Sequence, residues 1–316
     1  MRTVFTLRTS EESSKPSPML ALRSPSLHGL MAFVLWGCFP AYFKLVQAAS
    51  PEEILSHRVI WSAAMLLGFL YATRRLQVLR QTLLDARMRK GLLLTAGLIA
   101  ANWLVFIWAV NHRHALEASL GYFICPLINC LFGYLFYEER LRPLQKFALL
   151  LAVGGVCVPL LALDRVPWIS LFLALSFASY GTLRKKLQAD PIAGLCAETL
   201  MLAPFALLWL LWLATSGRIA FGTLGPSFSV YLVMAGLVTS LPLVLFASAA
   251  NRIPLTTVAF LQYVAPSLQF LLAVFGFGEP FTVNDALSFS FIWAGLVIYS
   301  IDQIRRGAGT RRSRLA

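Results

Sequence analysis

Long apolar stretches alternate with short polar segments along almost the whole chain. A helix of about 20 residues crosses the ~30 Å of hydrocarbon in a bilayer, and ten stretches meet or approach that length. The ten predicted spans cover residues 28–48, 53–72, 90–110, 114–137, 144–163, 167–183, 191–214, 228–250, 254–277 and 283–302. The pattern therefore predicts an all-α membrane protein with ten transmembrane helices.

The second half of the chain repeats the first at a constant offset of 140 residues, so that segment 51–139 lies over segment 191–279 without a gap. Asn111 then meets Asn251, and Pro126 meets Pro266. Each half holds five spans, and because five is odd the second half must enter the membrane from the opposite side. We therefore predict two inverted five-helix repeats, 28–163 and 167–302, with a binding site near the midplane between them. Residues 1–27 are predicted to form a disordered cytoplasmic tail and residues 303–316 a basic cytoplasmic tail.

Composition agrees with a membrane protein, and charge indicates its orientation. Hydrophobic residues make up 58% of the 316 residues and charged residues 13%, too apolar for one soluble core. Of the 27 Lys and Arg residues, 22 fall in segments on one side of the membrane, 3 in loops on the other and 2 within helices. The positive-inside rule then places both termini in the cytoplasm. The net charge of +13 is explained by this topology and predicts no nucleic-acid partner.

Cysteine and motif usage favour neither a metal site nor an enzyme. The five cysteines all fall inside predicted spans, without CxxC spacing or a neighbouring His that could complete a metal site. No GxSxG, HExxH or P-loop motif occurs. We therefore expect no cofactor, no metal and no catalytic residues, and no nucleotide-binding domain that could support ATP drive.

Polar and helix-breaking residues recur at matching helical spacing in the two halves. The first pair of stripes lies in the first and sixth spans, where Trp36, Pro40 and Lys44 match Phe177, Gly181 and Lys185. The second pair lies in the fourth and ninth spans, where Tyr122, Pro126 and Asn129 match Gln262, Pro266 and Gln269. A proline cannot donate to the carbonyl one turn back, so each of these prolines leaves an acceptor that needs a partner. We expect the fourth and ninth spans to face each other at the midplane, line the solute path and bend at their prolines. The alternative is that Pro126 and Pro266 are tolerated kinks facing neighbouring helices.

Aromatic and amide side chains within the spans are candidates for the walls of a path for an organic solute, because rings offer faces to flat or cationic groups. Aromatic packing is the alternative interpretation for each of them. The candidate path residues are Trp36, Asn102, Trp103, Tyr122, Pro126, Asn129, Tyr180, Gln262, Tyr263, Pro266 and Gln269.

Ionisable residues inside spans are costly and usually face a cavity or a partner. The candidates for binding or for proton or ion coupling are Lys44, Glu53, His57, Arg58 and Glu117 in the outer half and Glu198 in the inner half. His57 lies one turn from Glu53, so the two can meet on one face. We expect an acid to hold Arg58, Glu117 first and Glu53 next, and we expect Glu198 to face the central cavity. Helix-locking ion pairs, including Lys44 with Glu117 or Glu198 with Lys185 or Arg184, are the alternative.

Several runs resemble the RarD branch of the EamA-type transporters, in the drug/metabolite transporter superfamily. They are FPAYFKL from residue 39, PEEILSHRVIWS from 51, the run 102–141, SFASYGTLRKK from 176 and the run 260–279. The resemblance implies ten helices in two inverted halves, the bacterial inner membrane and export or exchange of small organic solutes. It also implies the chloramphenicol-sensitivity label that such proteins carry. One departure is Cys125, where the family has Asn before the mid-span proline.

These patterns predict a secondary transporter for a small, amphiphilic metabolite or drug, driven by an ion gradient or by exchange. Its expected partners are the solute and the lipid bilayer, and the sequence specifies no oligomeric state. The alternative is a non-transporting membrane receptor or assembly partner. An aromatic-lined midplane cavity between the halves would favour transport, whereas a uniformly packed core would favour the alternative.

Overall fold

A computed structural model of the chain describes residues 24–111, 115–161, 166–276 and 283–313. Every regular element in these ranges is helical, which confirms the all-α prediction. The predicted disordered tail lies almost entirely outside the described residues. The helices are α1 (Pro25–Gly37), α2 (Phe39–Val46), α3 (Pro51–Ala72), α4 (Leu76–Leu84), α5 (Ala86–Asn111), α6 (Ala115–Tyr137), α7 (Pro143–Leu161), α8 (Trp168–Leu187), α9 (Pro191–Thr215), α10 (Pro226–Ala250), α11 (Leu255–Gln262), α12 (Val264–Leu271) with a π-helical turn (Leu272–Gly276), and α13 (Val283–Ser313).

Seven helical segments within the described ranges are long and apolar enough to cross a membrane. They are Pro25–Val46, Pro51–Ala72, Ala86–Phe106, Leu120–Tyr137, Pro191–Thr215, Pro226–Ala250 and Leu255–Gly276. Helices α7, α8 and α13 cover the predicted fifth, sixth and tenth spans, and α7 and α13 contain shorter apolar stretches. The chain is therefore a multi-pass membrane protein.

Two predicted spans are interrupted, each just before a proline. In the first span, helix α1 ends at Gly37 and the chain continues as α2, whose second residue is Pro40. The ninth breaks at Tyr263, and Pro266 stands in the first turn of α12. A proline is tolerated in a first turn, where backbone N–H groups have no intrahelical acceptor. Pro126, in contrast, lies inside the continuous helix α6, and the bend expected at that proline stays a prediction.

Several helix ends differ from the predicted ones. The first helix begins at Pro25, after Ser24, three residues before the expected start. Helix α8 continues to Leu187, and α13 continues to Ser313 through most of the predicted basic tail. The basic segment after the second span also holds α4, which was not predicted. Apolarity locates the spans, but a helix can extend into charged residues because its backbone hydrogen bonds do not require lipid.

The two halves interlock through α3, which packs against α9 and α10 of the second half. At the crossing with α10, Ser62 Oγ donates to the carbonyl of Gly236 at 3.1 Å. A methyl group built on Gly236 would lie 2.5 Å from the carbonyl carbon of Trp61. The absence of a side chain therefore allows the two backbones to approach, as is common between membrane helices.

Candidate functional site

A cavity of about 270 Å³ lies between helices of both halves. Its walls come from α1, α2, α3, α5 and α6 of the first half and from α8, α10, α11 and α12 of the second. Eight of the predicted site residues line it, namely Trp36, Arg58, Asn102, Trp103, Tyr122, Gln262, Pro266 and Gln269. We call this space the central cavity.

Residues related by the sequence repeat line the central cavity in pairs. Tyr122 and Gln262, which are 140 residues apart, both line it. Trp103 and Leu243 are also 140 residues apart and do the same. Trp36 and Phe177, at the offset of 141, form a third pair, with ring centroids 5.8 Å apart. The repeat therefore locates both sides of one cavity.

The predicted contact between the fourth and ninth spans is confirmed. Asn129 in α6 donates from Nδ2 to Oε1 of Gln262 at 2.8 Å. The hydroxyl of Tyr263 donates to the carbonyl of Phe123 at 3.3 Å. Asn129 and Tyr263 are themselves buried behind the wall of the cavity, as supports for wall residues. Pro126 does not line the cavity either.

The backbone carbonyl of Trp36, to which Pro40 cannot donate, accepts a hydrogen bond from another span. Gln269 Nε2 donates to the carbonyl oxygen of Trp36 at 3.1 Å, which joins α12 to the end of α1. This bond fixes the amide of Gln269 at the cavity wall and satisfies an acceptor that would otherwise be exposed at membrane depth. The broken ends of the first and ninth spans are therefore coupled to each other.

The amide of Asn102 is oriented by the sixth span. Its Nδ2 donates to the carbonyl of Leu173 at 3.0 Å and to Oγ of Ser176 at 2.9 Å. Both donor hydrogens of the amide are therefore used within the protein, and the Asn102 side chain fixes α5 against α8.

Arg58 brings the only charge among the described residues that line the central cavity. Its Nε donates to Oγ1 of Thr239 at 2.9 Å, and its guanidinium carbon lies 4.7 Å from the ring centroid of Trp103. Glu53, the second of the two acids expected to hold Arg58, does not pair with it. The carboxylate of Glu53 accepts instead from the backbone N–H of Ala220 at 2.9 and 3.0 Å and of Phe221 at 2.9 Å. The side chain of Glu117 lies outside the described residues.

The remaining outer candidates are arranged beside the cavity rather than in its wall. His57 Nε2 lies 3.8 Å from Oε1 of Glu53, as the one-turn spacing predicted, and its Nδ1 accepts from Nε1 of Trp61 at 3.1 Å. Lys44 is exposed and does not line the cavity. Glu53 and His57 both contact the segment at Ala220 and Phe221, a contact that joins α3 to the second half.

Glu198 does not face the central cavity, contrary to expectation. Its Oε1 lies 3.4 Å from Nη1 of Arg184 and accepts from Oγ1 of Thr95 at 2.6 Å, and its Oε2 accepts from the hydroxyl of Tyr180 at 3.3 Å. Arg184 is 0% exposed and Glu198 1% exposed. Helix α8 extends past the predicted end of its span, and Arg184 lies on the buried side of that extension. Gly194 leaves room for the guanidinium of Arg184, because a methyl group added to Gly194 would meet Nη1.

Five rings separate the buried ion pair from the central cavity. This ring cluster consists of Phe33, Trp36, Phe177, Tyr180 and Phe246, in which Phe177 and Phe246 have centroids 5.4 Å apart and Tyr180 stacks on Phe246 at 6.2 Å. Three of its members also line the cavity, and Tyr180 reaches the ion pair through its hydroxyl. Tyr180 is therefore a link between the cavity floor and the ion pair rather than a wall residue.

Sequence reasoning did not select several wall residues. They are Phe33, Phe39, Pro40, Phe43, Phe106, Phe177, Leu243 and Ala265. Pro40 and Phe177 belonged to the first pair of recurring stripes, which could have identified them. Nothing in the sequence separates the other phenylalanines of the wall from those that only pack. Within the described part of the chain, no group of three or more His, Cys, Asp or Glu side chains could hold a metal ion.

Comparison with known proteins gives consistent results. Residues 24–161 match the EamA-like transporter family. An uncharacterized transporter of Vibrio cholerae is 46% identical over 91% of this chain and 95% of its own. The protein RarD of Salmonella typhi is 44% identical over 89% of this chain and 96% of its own. A crystal structure that is 19% identical superposes with a TM-score of 0.69, covering 88% of this chain and 97% of that chain, and supports the fold alone.

Proposed function

Because the chain belongs to the EamA-type transporters, in the branch of the RarD proteins, we propose that it is a secondary transporter of a small organic solute. The observation that carries the proposal is the central cavity, which is lined by rings and amides of both halves. A concave, mostly apolar space with a few fixed polar groups is the usual form of a small-molecule site. Such a cavity between the halves favours transport over the receptor or assembly role.

In this proposal the chain crosses the bacterial inner membrane ten times, as two inverted five-helix repeats with both termini in the cytoplasm. The pairs Trp36 and Phe177, Trp103 and Leu243, and Tyr122 and Gln262 support it, since a pseudo-two-fold axis would bring such mates together. The solute binds near the midplane and an ion gradient or exchange drives its movement.

Alternating access requires one side of the cavity to be closed at a time. Phe39 and Phe43 continue the cavity wall toward the proposed outer ends of the helices. The ring cluster and the pair Arg184–Glu198 lie on the other side, where they close the proposed cytoplasmic exit. We propose that inward opening separates these rings, with the interruptions at Cys38 and Tyr263 as the hinges.

Vesicle transport tests the proposal. We expect inside-out vesicles that contain the chain, supplied with a small-metabolite extract, to change the content of at least one organic solute relative to empty vesicles. The variant Ala265→Phe, which adds a ring to the cavity wall, should abolish that change. The matched control Leu208→Phe, at a 65% exposed position of α9, should behave as the unmodified protein.

Mass spectrometry of the vesicle contents, with and without a pH gradient, provides the measurement. A solute whose transport survives Ala265→Phe at an unchanged rate would contradict the cavity as the path. No solute differing between vesicles with and without the protein would contradict the transport proposal itself. Dependence on the pH gradient separates proton coupling from exchange.

A further inference from the structure

The central cavity combines an apolar body with a single positive charge. Among the described residues of its wall, Arg58 alone is charged, and most of the others are aromatic or amide side chains. Arg58 is half-buried because part of its surface faces the cavity.

The described groups that hold the guanidinium of Arg58 in one orientation carry no negative charge. Thr239 accepts from Nε at 2.9 Å, and the rings of Trp103 and Phe43 flank the guanidinium carbon at 4.7 and 5.8 Å. Among the described residues, no carboxylate lies within ion-pair distance and no acceptor is bonded to its two Nη groups. The planar fork of donors is therefore oriented, and no described acceptor occupies its two Nη groups.

An unpaired guanidinium at membrane depth is unfavourable, and pairing with a planar anion removes most of that cost. Arginine binds carboxylates through two parallel hydrogen bonds, which also fixes their orientation. A positive solute would instead face the charge of Arg58, and among the described residues of the wall none carries a negative charge to compensate it. The cavity is thus complementary to an anion with a flat apolar body.

We propose that the transported solute is a small organic anion, whose carboxylate binds Arg58 and whose apolar part packs among the rings of the central cavity. This inference rests on the proposed function, because it names the class of solute for the same site. Thr239 and Trp103 are positioning residues for the guanidinium, and the ring cluster forms the floor against which the apolar part lies.

Three probes with one ring and different charges test the inference on the purified full chain in detergent. They are phenylacetate (−1), phenylacetamide (0) and phenethylamine (+1), with inorganic phosphate as an anion that lacks the ring. A ligand that binds only the folded protein raises its melting temperature. Three of the five cysteines are buried, so a thiol-reactive dye reports unfolding.

We expect only phenylacetate to raise the melting temperature clearly, and we expect Arg58→Gln to weaken its binding about 10- to 100-fold, the usual effect of losing a charge-assisted hydrogen bond. Arg58→Lys should keep the preference for the anion with lower affinity, because it retains the charge without the planar fork. Without ligand, Arg58→Gln should melt at least as high as the unmodified protein, since it removes an uncompensated charge.

Equal stabilisation by phenylacetamide, no stabilisation by phenylacetate at millimolar concentration, or equal stabilisation by phosphate would overturn the inference. A lower melting temperature of ligand-free Arg58→Gln would also overturn it, since it would show that an acid already pairs with Arg58. The vesicle assay is independent of these outcomes, because transport of a neutral or cationic solute would support the proposed function and reject the anion.

Discussion

Arg184→Ala is expected to destabilise the protein by about 3–5 kcal/mol, because it leaves the carboxylate of Glu198 buried without its counter-charge. Thr95 and Tyr180 still donate to that carboxylate, but neutral hydroxyls do not replace a positive charge. The double variant Arg184→Met with Glu198→Gln should recover most of the loss, since the amide oxygen of Gln can accept from one hydroxyl and its NH2 group can donate to the other. Melting of the purified protein, followed with a thiol-reactive dye, measures each variant.

Arg75→Ala is the matched control for this prediction. Arg75 pairs with Asp190 at 2.9 Å, but both side chains are nearly one-fifth exposed, at 18% and 19%. An ion pair with access to water contributes about 0–1 kcal/mol, so Arg75→Ala should change melting only slightly. Equal losses from Arg75→Ala and Arg184→Ala, or no recovery in the double variant, would show that the Glu198 charge is not enclosed as the structure describes.

Gly236→Ala is expected to prevent the close approach of α3 and α10 and to lower the yield of folded protein. A methyl group at Gly236 would lie 2.5 Å from the carbonyl carbon of Trp61 and 2.8 Å from the backbone nitrogen of Ser62. Backbone atoms cannot turn aside as a side chain can, so the helices must separate, and such overpacking costs about 1–3 kcal/mol or more. The hydrogen bond from Ser62 to the Gly236 carbonyl would lengthen as well.

The control for Gly236→Ala lies in the partner helix. A methyl group added to Gly68 of α3 would have no atom within 4 Å, so Gly68→Ala should leave melting unchanged or raise it slightly. Size-exclusion profiles and dye-monitored melting compare the two variants. Normal melting of Gly236→Ala would mean that α3 and α10 do not cross at this glycine.

Many residues of the cavity wall could be predicted from the sequence because the chain repeats itself. A long apolar helix is recognised by length and composition, and the two stripes with prolines located Tyr122, Gln262 and Gln269. The sequence also indicated that the Trp36 carbonyl, one turn before Pro40, needs a partner, although not that Gln269 would supply it. These inferences succeed because they depend on residues one helical turn apart or on a fixed offset.

The pairing of charges was less determined by the sequence, which offered the pair of Glu198 with Arg184 only as an alternative to a carboxylate that faces the cavity. Arg184 stands beside Lys185 and Lys186, and the run indicated a cytoplasmic end, whereas the helix continues and buries only Arg184. Arg58 contacts Thr239, 181 residues away in the chain, and nothing distinguishes that threonine from others in the spans. Which distant groups meet depends on the rotation and depth of each helix, and hydrophobic periodicity is too weak in buried membrane helices to specify them.

Side-specific labelling of the central cavity tests the transport account most directly. Cysteine replaces Tyr122 or Gln262 in a background without the five native cysteines, and a membrane-impermeant maleimide is added to right-side-out or to inside-out vesicles. Both positions line the cavity, and the exposed position Leu208 provides a lipid-facing control. The account predicts that Tyr122→Cys and Gln262→Cys react from either side, whereas Leu208→Cys reacts from neither. Reaction from one side only, in a variant that still exchanges solute, would contradict alternating access through this cavity.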